Sequence, residues 1–397
     1  MAGHPGRVFQ VFRVFLLLGI QSFGGPVAHL GYYRQALVAE RHWLSDAEYA
    51  QIVALCQFLP GPSSSQVGQA IGLLRAGLPG MFAAWLGFTL PSAVLMLAAA
   101  LTLSRLDTAT ITGAGWLHGL KLAAVAVVAQ AVFRMARTLA PDGAHLLITV
   151  AALATAVIWA SPAGQLAALL LGGALAFALP LGTRETAAAN ALRTLVSRRT
   201  ALVALALLIA GLLLLPLLAV LRPDGMAAMA DGVYRAGTLV FGGGHVVLPL
   251  LEREVAAPGG LDHGTFLAGY GLAQALPGPL FSFAAYLGAT LHPGAPVVGA
   301  VIALVAIFLP GSLLLLATLP WWSRLSGMAS VARAVAGINA AVVGLLGAIL
   351  WDPVIRVAVT GVTEAAIAGA ALAALMTTRG PVYLIVPACA LAGYLLL

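Results

Sequence analysis

Charge is what this chain lacks most. Of 397 residues only 8% are Asp, Glu, Lys or Arg, whereas a soluble domain carries roughly a quarter, and 61% are hydrophobic with a mean hydropathy of +1.01. That shortage excludes a water-soluble globular domain and defines an integral membrane protein. Cysteine is almost absent too: Cys56 and Cys389 both lie in apolar runs, so no disulfide framework and no metal-ligand spacing exists, and no cofactor is expected. Lysine is scarcer still, with 19 arginines but the single Lys121. The formal charge of +7 is scattered over the ends of apolar segments, with no basic stripe interleaved with aromatics, which excludes nucleic-acid binding.

What is present is a long series of apolar segments of membrane-spanning length. They run over 8–24, 79–104, 112–135, 144–160, 163–181 and 200–220, then 229–247, 295–319, 331–351, 357–376 and 381–397. Two longer stretches, 47–76 and 264–292, each contain a Pro-Gly-Pro. The Ala/Leu/Gly-rich runs lack the polar alternation of a barrel, so the fold class is all-α and polytopic. Segment 8–24 has no small-residue cleavage site and reads as the first membrane helix, not a cleaved signal peptide. Arg184, Arg193, Arg198 and Arg199 cluster between two apolar segments, which places that loop in the cytoplasm and the chain in the plasma (inner) membrane.

The chain says the same thing twice. Phe23-Gly24-Gly25 returns as Phe241-Gly242-Gly243, Gln57-Phe58-Leu59-Pro60-Gly61-Pro62 as Gln274-Ala275-Leu276-Pro277-Gly278-Pro279, and Leu90-Pro91-Ser92 as Leu309-Pro310-Gly311. Gly119-Leu120-Lys121 aligns with Gly337-Ile338-Asn339, and the offset stays between 217 and 219 throughout. The reading is a tandem duplication, with repeats at 1–195 and 222–397 and a linking helix at 196–221. If each broken stretch crosses the membrane, a half has six crossings, the linker makes seven, and the second copy is inverted. If the breaks are re-entrant hairpins, five plus one makes six and the copies are parallel. Arg324, Arg333 and Arg379 favour crossing, while Arg34 and Arg41 mildly favour re-entry. Inversion is the preferred expectation, because inverted repeats are a common transporter plan.

A helix broken at mid-membrane leaves N–H groups without acceptors at the start of its second half. After the first break come Ser63, Ser64, Ser65, Gln66 and Gln69, grouped where a helix dipole attracts an anion. After the second come only Ser282 and Tyr286, so the first copy is the better equipped. Three serines at a helix start can equally be plain caps. Lys121 lies inside an apolar run, where a cation costs at least ~2.5 kcal/mol on insertion scales, and its repeat partner is the polar Asn339. The competing reading has it snorkelling to the interface.

Glu40 and Glu252, flanking the two breaks, are candidates for carrying a proton, and Arg75 for neutralising an anion in a vestibule. Most such residues are interfacial charges. Glu364, alone inside its apolar segment, has no assigned role, and His29, His42 and His245 share no register that would support a metal.

These residues resemble the chromate ion transporter family in its long two-domain bacterial form. The resemblance rests on Phe23-Gly24-Gly25-Pro26, Trp43-Leu44-Ser45, the first Pro-Gly-Pro phrase, Gly72 with Arg75 and Gly80, and Leu90-Pro91-Ser92. In the second half it rests on Phe241 to Gly244, Leu248-Pro249, Glu252, the second Pro-Gly-Pro phrase, Gly288 and Leu309-Pro310. The second half departs from the pattern with Gly260-Leu261-Asp262 where the first has Trp43-Leu44-Ser45. The resemblance implies export of chromate from the cytoplasm and chromate resistance, with half-length members pairing in opposite orientations. It carries the substrate path onto Gly24, Gly25, Gln57 and Pro60 to Pro62, and onto Gly242, Gly243, Gln274 and Pro277 to Pro279.

Export of a dianion from a negative interior is downhill by ~2.3 kcal/mol per charge per 100 mV, ~4.6 kcal/mol in all. At ~1.4 kcal/mol per decade that sustains a gradient of roughly three orders of magnitude without a coupling ion, with proton exchange as an additional drive. Sulfate has the same charge and nearly the same shape, so a sulfate or other oxyanion transporter is the alternative. A membrane-embedded enzyme is the remote one, opposed by the lack of a His-Glu-x-x-His, of a serine with a His partner and of paired intramembrane aspartates. The expected partners are the oxyanion and the lipid bilayer, with a homodimer left open.

Overall fold

In the computed structural model the described residues are 5–23, 25–104, 115–159, 161–180, 196–222, 225–240, 247–256, 258–325, 328–377 and 382–397, and among them there is no strand. Ala/Leu-rich runs satisfy their own backbone groups as helices, which is what hydrocarbon demands. The chain forms two compact units: residues 1–98, 185–244 and 276–327 make one, and 99–184, 245–275 and 328–397 make the other. Each unit draws on both halves of the duplication.

The first unit begins with α1 (Pro5–Gln21), α2 (Gly25–Tyr33, extended by a wide turn Arg34–Glu40) and α3 (Asp46–Phe58). Helical stretch Ser63–Leu103 is two helices, because Ala76 (φ −146°) and Gly77 (φ +68°) leave helical geometry. We call them α4 (63–75) and α5 (78–103). They fold back on each other so closely that a Cβ on Gly72 would lie 2.3 Å from the Gly80 carbonyl oxygen. No side chain fits there. α1 lies alongside α5 in the same direction: Pro5, Val8 and Phe12 from its first half and Pro79, Phe82 and Leu86 from the first half of α5 line one groove. Near its end Gly19 reaches only Gly87 and Phe88, midway along α5.

From that midpoint the chain turns back. The Tyr33 ring packs edge-on against Phe15 (5.5 Å) and Phe88 (5.3 Å), and Trp43 and Leu44 then line a cavity with Arg7, Glu48, Leu74 and Arg75 at the Pro79 end. α3 leaves from that end and α4 returns to it, with the Arg75 guanidinium 5.2 Å from the Trp43 ring centre. Both arms therefore open at one end of the unit. The Pro-Gly-Pro is the tip of a re-entrant hairpin, and so is the turn containing Phe23. Of the two alternatives for 47–76, this hairpin favours re-entry over crossing, and α1, read as the first membrane helix, stops midway along α5. The physical reason is Ala76-Gly77, which lets the chain reverse after only 13 residues, about 20 Å of helix.

α3 is held by a capping box: the Ser45 hydroxyl accepts from the Glu48 N–H, and the Glu48 carboxylate accepts from the Ser45 N–H at 2.8 Å. Those hydrogen bonds from Ser45, backbone first and hydroxyl second, hold the Glu48 carboxyl below the usual carboxylate range. A depressed folded pKa contributes stability above the ordinary glutamate value of ~4.3 and loses it as pH falls through the folded value. Melting curves from pH 7 to 3 should therefore show a steeper acid loss for the wild type than for Glu48→Gln; equal slopes would refute the link.

The remainder of the first unit is α9 (Arg198–Leu221), α10 (Met226–Leu239), α13 (Phe283–Leu291, entered through the tight turn Leu280–Ser282) and α14 (Pro296–Thr318, continued by Leu319–Trp321 and the short α15, Trp322–Leu325). α14 is the repeat counterpart of α5. Gly61, at the first tip, meets Gly311 on α14, while Trp322 packs edge-on against Phe58 at 5.3 Å. Trp322 is about 16 Å beyond Gly311 along the chain, and Leu315 and Leu319 share a core with Ile52, Leu55 and Cys56 of α3. So α14 runs toward the Pro79 end, and α5 runs away from it. α5 and α14, counterparts in the two copies, thus run in opposite directions, as the preferred inverted arrangement expects.

The second unit holds α6 (Gly115–Leu139), α7 (Gly143–Ile158), α8 (Pro162–Ala178), α11 (Val247–Leu251, extended by Glu252–Ala256), α12 (His263–Ala275), α16 (Ala329–Ile349, extended by Leu350–Ile355), α17 (Arg356–Ala358), α18 (Val362–Thr377) and α19 (Val382–Leu396). Its packing is reciprocal. Gly119 of α6 abuts Cys389 of α19, and its repeat partner Gly337 of α16 abuts Gly172 of α8. At these glycines each copy packs against the other. Glu364, unassigned from sequence, sits in the first turn of α18 and accepts from the Thr360 hydroxyl at 3.0 Å. Among the described residues, five stretches suit a membrane crossing by length and composition: Ser63–Leu103, Gly115–Arg137, Arg198–Leu221, Pro296–Trp321 and Ala329–Ala358.

Candidate functional site

In the first unit the two tips are built into one another by the other copy. Gly61 N–H donates to the Val240 carbonyl (2.6 Å), just before the second Phe-Gly-Gly, and Gly278 N–H donates to the Ser22 carbonyl (2.9 Å), just before the first. Gly61 backs onto Gly311, after Leu309-Pro310, and Gly278 onto Ser92, after Leu90-Pro91. When residue i of one copy meets j of the other, and j meets i, a two-fold relation is present. Both glycines have positive φ, +120° and +99°.

α4 starts at the first tip, and its first ladder bond runs from Gln66 N–H to Pro62 O at 2.9 Å, so the N–H groups of Ser63, Ser64 and Ser65 precede the ladder. Ser64, Ser65, Gln66 and Gln69 are all buried. Gln66 Nε2 donates to two carbonyls, Pro60 and Gly311, at 3.0 Å each, and clamps the tip to α14. Several buried polar atoms around this start have no hydrogen-bond partner: Ser65 Oγ, Gln66 Oε1, Gln69 Oε1, Ser22 Oγ and Thr89 Oγ1. Each such atom costs ~1–3 kcal/mol of desolvation unless a guest or water satisfies it. The second tip differs. Ser282 Oγ donates to Pro279 O at 2.8 Å, and Phe283 stacks on Tyr286, 5.8 Å between rings.

The sequence-expected residues divide between the units. Gly25, Gln57, Pro60 to Gln66, Gln69, Pro277 to Pro279, Glu40 and Arg75 belong to the first, and Lys121, Gln274, Asn339 and Glu252 to the second. Gly24, Gly242 and Gly243 lie outside the described residues. Gln57 is exposed, and Glu40 forms an exposed ion pair with Arg41 at 3.3 Å. Arg75 stacks over Trp43 and reaches Gln10 at 3.4 Å, on a cavity of about 140 Å³. In the second unit the Lys121 ammonium lies over Gly264 beside Asp262, whose carboxylate caps α12 by accepting from the Gly264 N–H at 2.7 Å. The chain's single lysine thus has a carboxylate neighbour. Glu252 is buried and ion-paired with His263, Gln274 hydrogen-bonds Tyr270, and Asn339 Oδ1 is buried without a partner. Among the described residues no cluster of His, Cys, Asp or Glu could hold a metal. Sequence reasoning missed His29, Tyr33, Ser22 and Thr89; a histidine in the apolar Gly25–Tyr33 stretch was the one available signal.

Inverted repeats with re-entrant, glycine-tipped hairpins around a buried helix start define a polytopic membrane protein of the transporter type. The sequence signature described as "Chromate transporter" matches residues 9–178 and again 227–394, and the chain belongs to that family. It is 32% identical to the "Chromate transport protein" of Pseudomonas aeruginosa over 353 residues, 86% of this chain and 80% of that one. It is 28% identical to the "Probable chromate transport protein" of Synechococcus elongatus (86% and 84% covered) and 27% to the "Chromate transport protein" of Cupriavidus metallidurans (86% and 81%). No solved structure matches.

Proposed function

We propose that this protein moves chromate, a tetrahedral dianion, out of the cytoplasm across the plasma membrane, driven by the membrane potential with protons as an exchange partner, and so confers chromate resistance. The buried start of α4 carries the reading: three N–H groups ahead of the ladder, flanking hydroxyls without partners, and a dipole aimed at an anion. Ser63, Ser64 and Ser65 are the proposed contacts, with Gln69 lining them and the second tip closing the path. Lys121 and Asn339 are proposed to line the second unit, and Glu252 with His263 to carry the exchanged proton. The repeats at 1–195 and 222–397, joined by 196–221, are proposed as the two halves of one machine.

Chromate uptake into everted vesicles with an imposed potential tests this. The expected result is potential-dependent uptake, reduced at least tenfold by Ser64→Ala with Ser65→Ala, and only weakly inhibited by sulfate. Equal transport of sulfate would sink selectivity for chromate, and no response to potential would sink the electrogenic mechanism.

A further inference from the structure

His29 was set aside at the sequence level because no metal-ligating partners share its register, yet the fold buries it completely beside the α4 start. Its Nδ1 lies 3.3 Å from Ser64 Oγ. Its ring packs edge-on against Phe88 at 5.2 Å and 83°, which fixes the ring plane; the Ser22 backbone lies within reach of the ring, and Nε2 makes no hydrogen bond of good geometry. A neutral imidazole has one donor and one acceptor nitrogen. When the Ser64 hydroxyl donates to Nδ1, the proton resides on Nε2. The nearby Tyr33, against the same Phe88 ring at 5.3 Å, likewise keeps a buried hydroxyl without a partner. Among the described residues no carboxylate pairs with His29, and the nearest charge-seeking element is the helix start itself.

We infer that His29 is a substrate-binding residue that donates its Nε2–H to the transported oxyanion, with Ser64 fixing the tautomer. The inference rests on the transport reading above and adds a specific donor to it. A buried hydrogen bond to a charged acceptor supports a roughly 10- to 100-fold change in affinity. Its geometry also explains why a polar ring is kept in an aromatic niche where phenylalanine would pack equally well: packing needs the ring, and only binding needs the nitrogen.

The test uses purified full-length protein in proteoliposomes, with initial rates of chromate transport measured against concentration for wild type, His29→Leu and His29→Gln. Glutamine places an amide N–H near the Nε2 position. The expected result is a KM about 10- to 100-fold higher for His29→Leu with kcat within a factor of three, a melting temperature close to wild type, and recovery to within a few-fold by His29→Gln. An unchanged KM in His29→Leu overturns the inference, as does a folded His29→Gln as impaired as His29→Leu. Should His29→Leu fail to fold, His29→Gln decides alone: a KM within a few-fold of wild type supports the role, and a rise beyond tenfold overturns it. Wild-type protein that moves no chromate defeats the transport reading itself.

Discussion

Gly61→Ala is expected to lower chromate transport by at least tenfold and to lower the melting temperature of the detergent-purified protein. Two costs add. At φ +120° an L-residue is strained by roughly 1–3 kcal/mol. The new Cβ would also stand 3.0 Å from the Gly311 Cα and 3.0 Å from Gln66 Nε2, and the first of these is backbone in the middle of α14. Backbone there cannot give way without displacing the helix. Gly278→Ala is the informative comparison: its φ of +99° carries similar strain, but its Cβ would meet the Ser92 hydroxyl at 2.8 Å, the far end of a side chain that can rotate. The expected order is therefore Gly61→Ala worse than Gly278→Ala, read from initial rates and thermal unfolding. Equal, mild effects would mean that the tips are not held by the opposite copy.

Gln66→Leu is expected to destabilise the first tip strongly. Leucine fills a similar volume, yet it leaves the Pro60 and Gly311 carbonyls without the donor each now has. At ~1–3 kcal/mol for the buried Gly311 acceptor, and less for the half-buried Pro60 carbonyl, the loss is about 2–4 kcal/mol. Gln66→Glu keeps the shape and replaces the donor by an acceptor facing two carbonyl oxygens, so it should be worse than leucine. Wild-type thermal stability in Gln66→Glu would disprove the clamp.

Much of the fold was legible in the sequence because apolar run length and proline-glycine punctuation are local signals. The segments read at 79–104, 144–160, 200–220 and 295–319 correspond closely to α5, α7, α9 and α14. Re-entry was one of two readings that the sequence left open. Segment 47–76 is long enough to cross, and its reversal depends on Gly72 and Gly80 letting two helices touch, a contact that composition does not announce. Segment 8–24 has the length of a span but stops at the level of Phe88 because the chain turns back beyond Ser22.

At the site, the Ser63 to Ser65 cluster stood out by proximity to the break. The importance of His29 did not, since its contact with Ser64 spans 35 positions. Lys121 stood out by its isolation in the sequence, but its neighbour Asp262 comes from the other half of the chain and was not legible.

The clamp from Gln66 to Gly311 spans 245 positions of sequence. At a synthesis rate of ~5–20 residues per second, roughly 12–50 s separate the emergence of its two ends from the ribosome. Until Val240 is made the tip lacks both of its partners in the other copy, and until Gly311 is made the clamp still lacks its second end. Closure of the first tip is thus a late event in the life of each new chain, and truncated products of stalled translation carry an open polar tip in the membrane.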